Sequence, residues 1–253
     1  MIAEIKGKVN RLNTNLTALG EDELTGNFFG NMRYIPFDKG LKKILKSAVR
    51  PAELGDLIDE IDACYWDENL SLWERMTEGG KMTELDVTLD FPSVVIGIEV
   101  KYQSGLSSQD ETGTEDIRAE NSVNQLSREA RVLHKIGSGR KKLLLLLADD
   151  SACAETVRDV QVMDDVRLGY FSWQEVLIQL RKLTGLNRFE QLVISDLIAL
   201  LERKGFFRFS AFDFEIPDDI SAENHWYFEL PVRKNEFSFV VDRTVEKKYY
   251  EFG

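Results

Sequence analysis

The 253-residue sequence predicts an α/β fold, a central mixed sheet flanked by helices, followed by a C-terminal α+β extension. Three observations carry this. Residues 22–61 place apolar side chains at helical spacing. Three consecutive segments between 70 and 102 alternate apolar and polar with a period of two. LLLLLA at 143–148 is apolar on both faces, as a strand at the centre of a sheet must be. A chain of this length buries a sizeable core without metal or disulfide staples.

The elements follow in order. Residues 4–17 mix polar and apolar positions and read as a lead-in helix, and 22–34 as a second, with Leu24, Phe28, Met32 and Ile35 on one stripe. After the turn IPFDKG, residues 41–49 form a short basic helix, and Pro51 restarts a helical stretch, AELGDLIDEI. Strands are expected at 70–76, 84–91 and 94–102, joined by short turns. The polar loop QSGLSSQDETGTEDIR follows, then a helix over 119–136 with Val123, Leu126, Ala130 and Leu133 as its apolar stripe. GSGRKK is a turn before the 143–148 strand, VRLGYFSW a further strand, and WQEVLIQLRKL a helix. A helix at 188–204 leads into the aromatic segments FFRFSAF, HWYFEL and FSFVV. The division expected is a core domain over 1–185 and an extension over 186–253 packed on it.

Composition narrows the function classes. A net charge of −12 opposes broad, nonspecific attraction to nucleic acid, while leaving room for a local basic groove and for an acidic cation site. Cys64 and Cys153 are far apart, in no metal-ligand spacing, and fit a reducing compartment as small apolar groups. His134 and His225 are isolated, which leaves zinc or histidine-based nucleophilic chemistry without support. The N-terminal stretch lacks the apolar run of a signal peptide, and the longest apolar run, Leu143 to Ala148, is far short of a membrane span. A cytoplasmic protein with no membrane partner is expected.

The chemistry concentrates in ELDVTLDFPSVVIGIEVKY. Leu85, Val87, Leu89 and Phe91 alternate with Glu84, Asp86, Thr88 and Asp90; Val94, Ile96, Ile98 and Val100 alternate with Val95, Gly97, Glu99 and Lys101. Opposed residues of a hairpin share a face, so matching the apolar sets makes paired residue numbers sum to an odd value. The tightest pairing joins Phe91 to Val94 across Pro92-Ser93, which sets Asp86 opposite Glu99 and Glu84 opposite Lys101; a shift of two residues keeps the faces and changes the partners. Opposed Cβ atoms lie roughly 4.5–5.5 Å apart. Two carboxylates that close need a positive charge between them, and Mg²⁺ or Mn²⁺, taking oxygen ligands, waters and phosphate oxygens, meets that need. Lys101 shares the patch and suits stabilisation of a phosphoryl transition state. Gly97 is expected to leave the face open beside the acids, and Asp90, near the turn, to be structural.

This arrangement resembles the PD-(D/E)XK nuclease superfamily, with its restriction-endonuclease-like αβββαβ core, over about half of the chain. Asp86 in TELDV is similar to the family's first acid and Glu99-Val100-Lys101 to its (D/E)XK element; Leu85 stands where the family's proline would be. The resemblance implies two further site residues: an acid on the helix before the first strand, here Glu23 with Glu21 as runner-up, and a polar residue on the helix after the third, here Gln125. The implied metal ligands are Asp86, Glu99 and Glu23. The implied function is a Mg²⁺- or Mn²⁺-dependent nuclease hydrolysing DNA phosphodiesters, of restriction or defence type, with a homodimer where both strands are cut. The alternative is a catalytically inactive nuclease fold serving as a nucleic-acid-binding or assembly subunit. A third is an α/β domain whose Glu99 and Lys101 form only a surface ion pair.

Overall fold

Five strands make one mixed sheet in the order in which they occur along the chain. The structure, a computed structural model, describes residues 16–78, 80–102, 105–106, 118–208, 227–229 and 238–240. Helices α1 (Leu16–Met32) and α2 (Leu41–Ala48), a single helical turn at Ala52–Leu54 and the short α3 (Gly55–Asp59) precede the sheet. Strands β1 (Leu70–Glu78), β2 (Lys81–Asp90) and β3 (Val94–Val100) form an antiparallel meander. Helix α4 (Gln125–Ile136) crosses to β4 (Lys141–Ala148), and α5 (Asp150–Arg158) to β5 (Val166–Ser172), both strands parallel to their predecessors. Helices α6 (Trp173–Lys182) and α7 (Arg188–Arg203) follow. The fold is therefore α/β, a mixed five-stranded sheet flanked by helices, as the alternation of patterns predicts.

The two faces of the sheet have different partners. Val87, Leu89, Phe91, Ile96, Ile98 and Val100 join Leu143, Leu145 and Leu147 in the larger cluster, with Phe28, Met32, Leu45, Leu177 and Leu197 from the helices. On the opposite face Val95 and Leu144 pack with Leu126, Ala130 and Leu133 of α4. Gly97 belongs to this contact: a Cβ there would lie 2.9 Å from Leu133 Cδ1. The expectation of an open face at Gly97 is thus corrected, because the missing side chain lets α4 sit close to the sheet.

The β1–β2 hairpin departs from simple alternation at one place, Trp73 of β1. Leu72↔Val87 and Glu74↔Leu85 hold the same register, so no residue is inserted, yet Trp73 between them has φ +55°. That left-handed conformation is uncommon for a bulky residue and costs on the order of 1–3 kcal/mol. On one side of it Leu72 and Val87 belong to the larger core; on the other Met76 and Leu85 belong to the α4 cluster. The hairpin turns its faces over here. Leu85, expected on the face of Val87, therefore packs beneath α4.

Helix boundaries shift where side-chain caps decide them. Helix α4 starts at Gln125, six residues later than 119, because the Asn124 side chain accepts the Leu126 N–H at 2.9 Å and caps it. Val123 consequently precedes the helix and is exposed rather than part of the stripe. Helix α5, which periodicity does not announce, is capped by Asp149 accepting from Ser151 N–H at 3.0 Å. Cys153 in it is buried and donates to the Phe171 carbonyl at 3.3 Å, whereas Cys64 is exposed rather than packed.

The first compact unit runs to Arg208, not to 185. Ile194, Leu197 and Leu201 of α7, together with Phe206, are buried in the larger core, so this helix belongs to the sheet domain. In the second unit, β6 (Tyr227–Glu229) and β7 (Ser238–Val240) pair antiparallel. Most of the lead-in helix, nearly all of the polar loop after Tyr102 and most of the aromatic segments lie outside the described residues. Among the described residues no helix is long and apolar enough to cross a membrane.

Candidate active site

The register of the hairpin is the one the turn predicts: Asp90↔Val95, Leu89↔Ile96, Thr88↔Gly97 and Val87↔Ile98. The ladder stops there. The amide of Val100, which the next rung would send to the backbone of β2, donates instead to Asp86 Oδ2 at 2.9 Å. Asp86 thus closes the hairpin with its carboxylate and stays beside Glu99. Glu84 does not reach Lys101, as the extended ladder would require; its Oε2 accepts from Arg75 Nε on β1 at 2.6 Å.

Glu99 is 2% exposed and Glu129 is fully buried, so these two acids form the floor of the site. Glu99 Oε1 accepts from Gln125 Nε2 and pairs with Lys101 Nζ, each at 2.6 Å. Gln125 and Glu129 are four residues apart on α4 and so lie on one face of it. Both carboxylate oxygens of Glu129 are buried without a hydrogen-bond partner. Glu99 Oε2 is buried without a hydrogen-bond donor of good geometry. Lys101 and Glu21 side chains are 11% and 15% exposed, and Asp86 is half-buried, so the opening is on their side.

Helix α1 supplies Glu21, not Glu23. Glu21 Oε1 lies 3.4 Å from Lys101 Nζ, and its Oε2 accepts the Tyr102 N–H at 3.0 Å. Glu23 is exposed. The two are about 200° apart around a helix of 3.6 residues per turn, so only one can face the sheet. The Lys101 backbone is clamped from both directions: its N–H donates to the Leu147 carbonyl at 2.7 Å, and its carbonyl accepts from Trp173 Nε1 at 3.0 Å. Asp90 pairs with Arg140 at the turn, in keeping with a structural role.

The electrostatics follow from four acids meeting one ammonium. Burial, then the charge of Glu99, holds the Asp86 carboxyl well above the usual range against the Val100 N–H and Lys101. Burial, then the charge of Glu129, does the same to Glu99. Burial pushes Glu129 up to about 8, with Asp86 adding and Glu99, Gln125 and Lys101 opposing. Burial alone would lower the Lys101 ammonium, but Glu99, Glu21 and Asp86 outweigh it and hold it above its ordinary value. Glu99, which keeps both donors at 2.6 Å, is the better placed of the buried pair to carry charge, and Glu129 to carry a proton.

Among the described residues no group of three or more His, Cys, Asp and Glu side chains is arranged to hold a metal ion. A smaller ligand set suffices for Mg²⁺, which keeps waters and binds through one or two carboxylates plus substrate phosphate. Asp86 and Glu99 fit that chemistry, being hard oxygen donors, with Glu99 Oε2 buried and free of a hydrogen-bond partner. A separate cavity of about 530 Å³, bordered by Arg118, His134, Met163 and Asp165, shares none of these residues. Comparison with protein-family models, with curated proteins and with solved structures gave no match.

Proposed function

We propose that the chain is a metal-dependent nuclease of the PD-(D/E)XK, restriction-endonuclease-like kind, hydrolysing DNA phosphodiesters. The observation that carries the reading is the convergence of Asp86, Glu99, Lys101 and Gln125, from three separate elements, at the point where the β2–β3 ladder ends. Asp86 and Glu99 would hold Mg²⁺ or Mn²⁺, with Glu21 the acid nearest to them from α1 in place of Glu23. A cation bound there acidifies a water and neutralises charge on a phosphodiester. Gln125 fixes the orientation of the Glu99 carboxylate. Lys101, anchored by its backbone and at the open side of the site, faces the scissile phosphate and stabilises the negative charge that develops on it.

The test is Mg²⁺- or Mn²⁺-dependent cleavage of single-stranded, duplex and branched DNA. Wild type is expected to cut at least one of these, and Lys101→Ala to cut it at least about 100-fold more slowly. Cleavage that persisted in Asp86→Ala or Glu99→Ala would show the site to be elsewhere. Absence of metal-dependent cleavage across the panel would instead favour the binding or assembly subunit. That second reading has its own support: Lys101 already neutralises Glu99, and the chain carries a net charge of −12.

A further inference from the structure

A nucleic-acid substrate must be met by cations, and in this acidic chain most of those near the sheet are already paired. Arg131 and Lys135 lie on Glu78, Arg140 on Asp90, Lys141 on Glu60, and Arg208 on Asp150 and Glu175. Lys204 is different. It makes no ion pair among the described residues, and its Nζ lies 4.7 Å from the centroid of the Tyr102 ring. Lys204 is the C-cap of α7, where a lysine suits the helix dipole. Its ammonium nevertheless reaches away to the ring, so helix capping does not account for where it points.

That ring packs against the larger core, while its backbone adjoins the candidate active site. Tyr102 directly follows Lys101, and its N–H donates to the same Glu21 carboxylate that faces the Lys101 ammonium. Phe206 meets the ring at 67° with centroids 5.6 Å apart, and a Cβ at Gly20 would sit 3.5 Å from it. The ring is thereby held in place next to Gly20, the residue before Glu21, and Lys204 rests on it. We propose that Lys204, positioned by Tyr102, takes the backbone phosphate flanking the one at Lys101, irrespective of base sequence. This rests on the reading of the site as one for nucleic acid.

The experiment uses the full chain in chelator, with fluorescein-labelled single-stranded and duplex oligonucleotides of two unrelated sequences. Binding is followed by anisotropy over a series of NaCl concentrations. Lys204→Ala is expected to weaken binding about 10-fold at low salt, equally for both sequences, and to reduce the slope of log K against log[NaCl] by about 0.7–0.9, the loss of one phosphate contact. Lys204→Arg restores both, and Lys43→Ala, an exposed lysine of α2, changes neither. Unchanged affinity and slope in Lys204→Ala, with wild type binding normally, would overturn the inference and leave the nuclease reading standing. Weakened binding in Lys204→Ala with no cleavage by wild type would support the inference and remove the nuclease. Failure of wild type to bind either oligonucleotide would overturn both.

Discussion

Glu129→Gln separates the electrostatics of the buried pair from its packing. The substitution keeps the size of the side chain and leaves an amide that can donate to Glu99. In the native protein the carboxyl sits at about 8 against an ordinary 4.5, because burial disfavours its charged form. An acid whose folded value is raised contributes stability that is complete below about pH 4.5. That stability is lost as pH rises toward about 8, because the unfolded chain releases its proton first. At 1.36 kcal/mol per pH unit, the loss between pH 5 and pH 9 comes to about 4 kcal/mol. The glutamine variant has no such proton to lose. Urea unfolding of both proteins at pH 5 and pH 9 is the assay. The variant is expected to gain about 4 kcal/mol on wild type between the two pH values, and to be close to it in stability at pH 5. A difference between the two proteins that stays constant within about 1 kcal/mol across the range would refute the buried, protonated Glu129.

Two other predictions follow from packing and burial. Gly97→Ala is expected to cost about 1–3 kcal/mol in urea unfolding, since its Cβ would overpack against Leu133. An unchanged midpoint would mean that α4 does not sit close at that residue. A thiol reagent should modify exposed Cys64 quickly and leave Cys153, buried and with its thiol pushed up to about 12, unreacted until the protein is unfolded. Rapid modification of both in native buffer would contradict the packing of α5.

Much of the site was legible because it rests on alternation. Side chains of a strand point to opposite faces by covalent geometry, so Val87, Leu89, Ile96 and Ile98 imply where Glu99 points, and the Pro92-Ser93 turn sets the register. Gln125 was reached through the resemblance to the nuclease superfamily, not from the pattern of its helix. Lys101 was legible from its spacing to Glu99. Glu84 was misplaced opposite Lys101 because alternation cannot say where a ladder ends, and here the Asp86 side chain takes the Val100 amide. Leu85 was misplaced for the same local reason, the turnover at Trp73. Glu129 went unnoticed although it stands four residues after Gln125, since a lone glutamate in a helix ordinarily faces water.

The sequence by itself determined the order of the strands and the sharing of one face by Asp86 and Glu99. These are consequences of short-range geometry and periodicity, which a chain carries wherever it folds. Only the tertiary structure decided which turn of α1 meets β3, hence Glu21 rather than Glu23, and that α4 seals the site with a second buried carboxylate. It also decided that α7 belongs to the sheet domain and brings Lys204 to Tyr102. The rotation of a helix about its axis and the neighbour it packs against are set by contacts between residues far apart in the chain, and no local pattern encodes them.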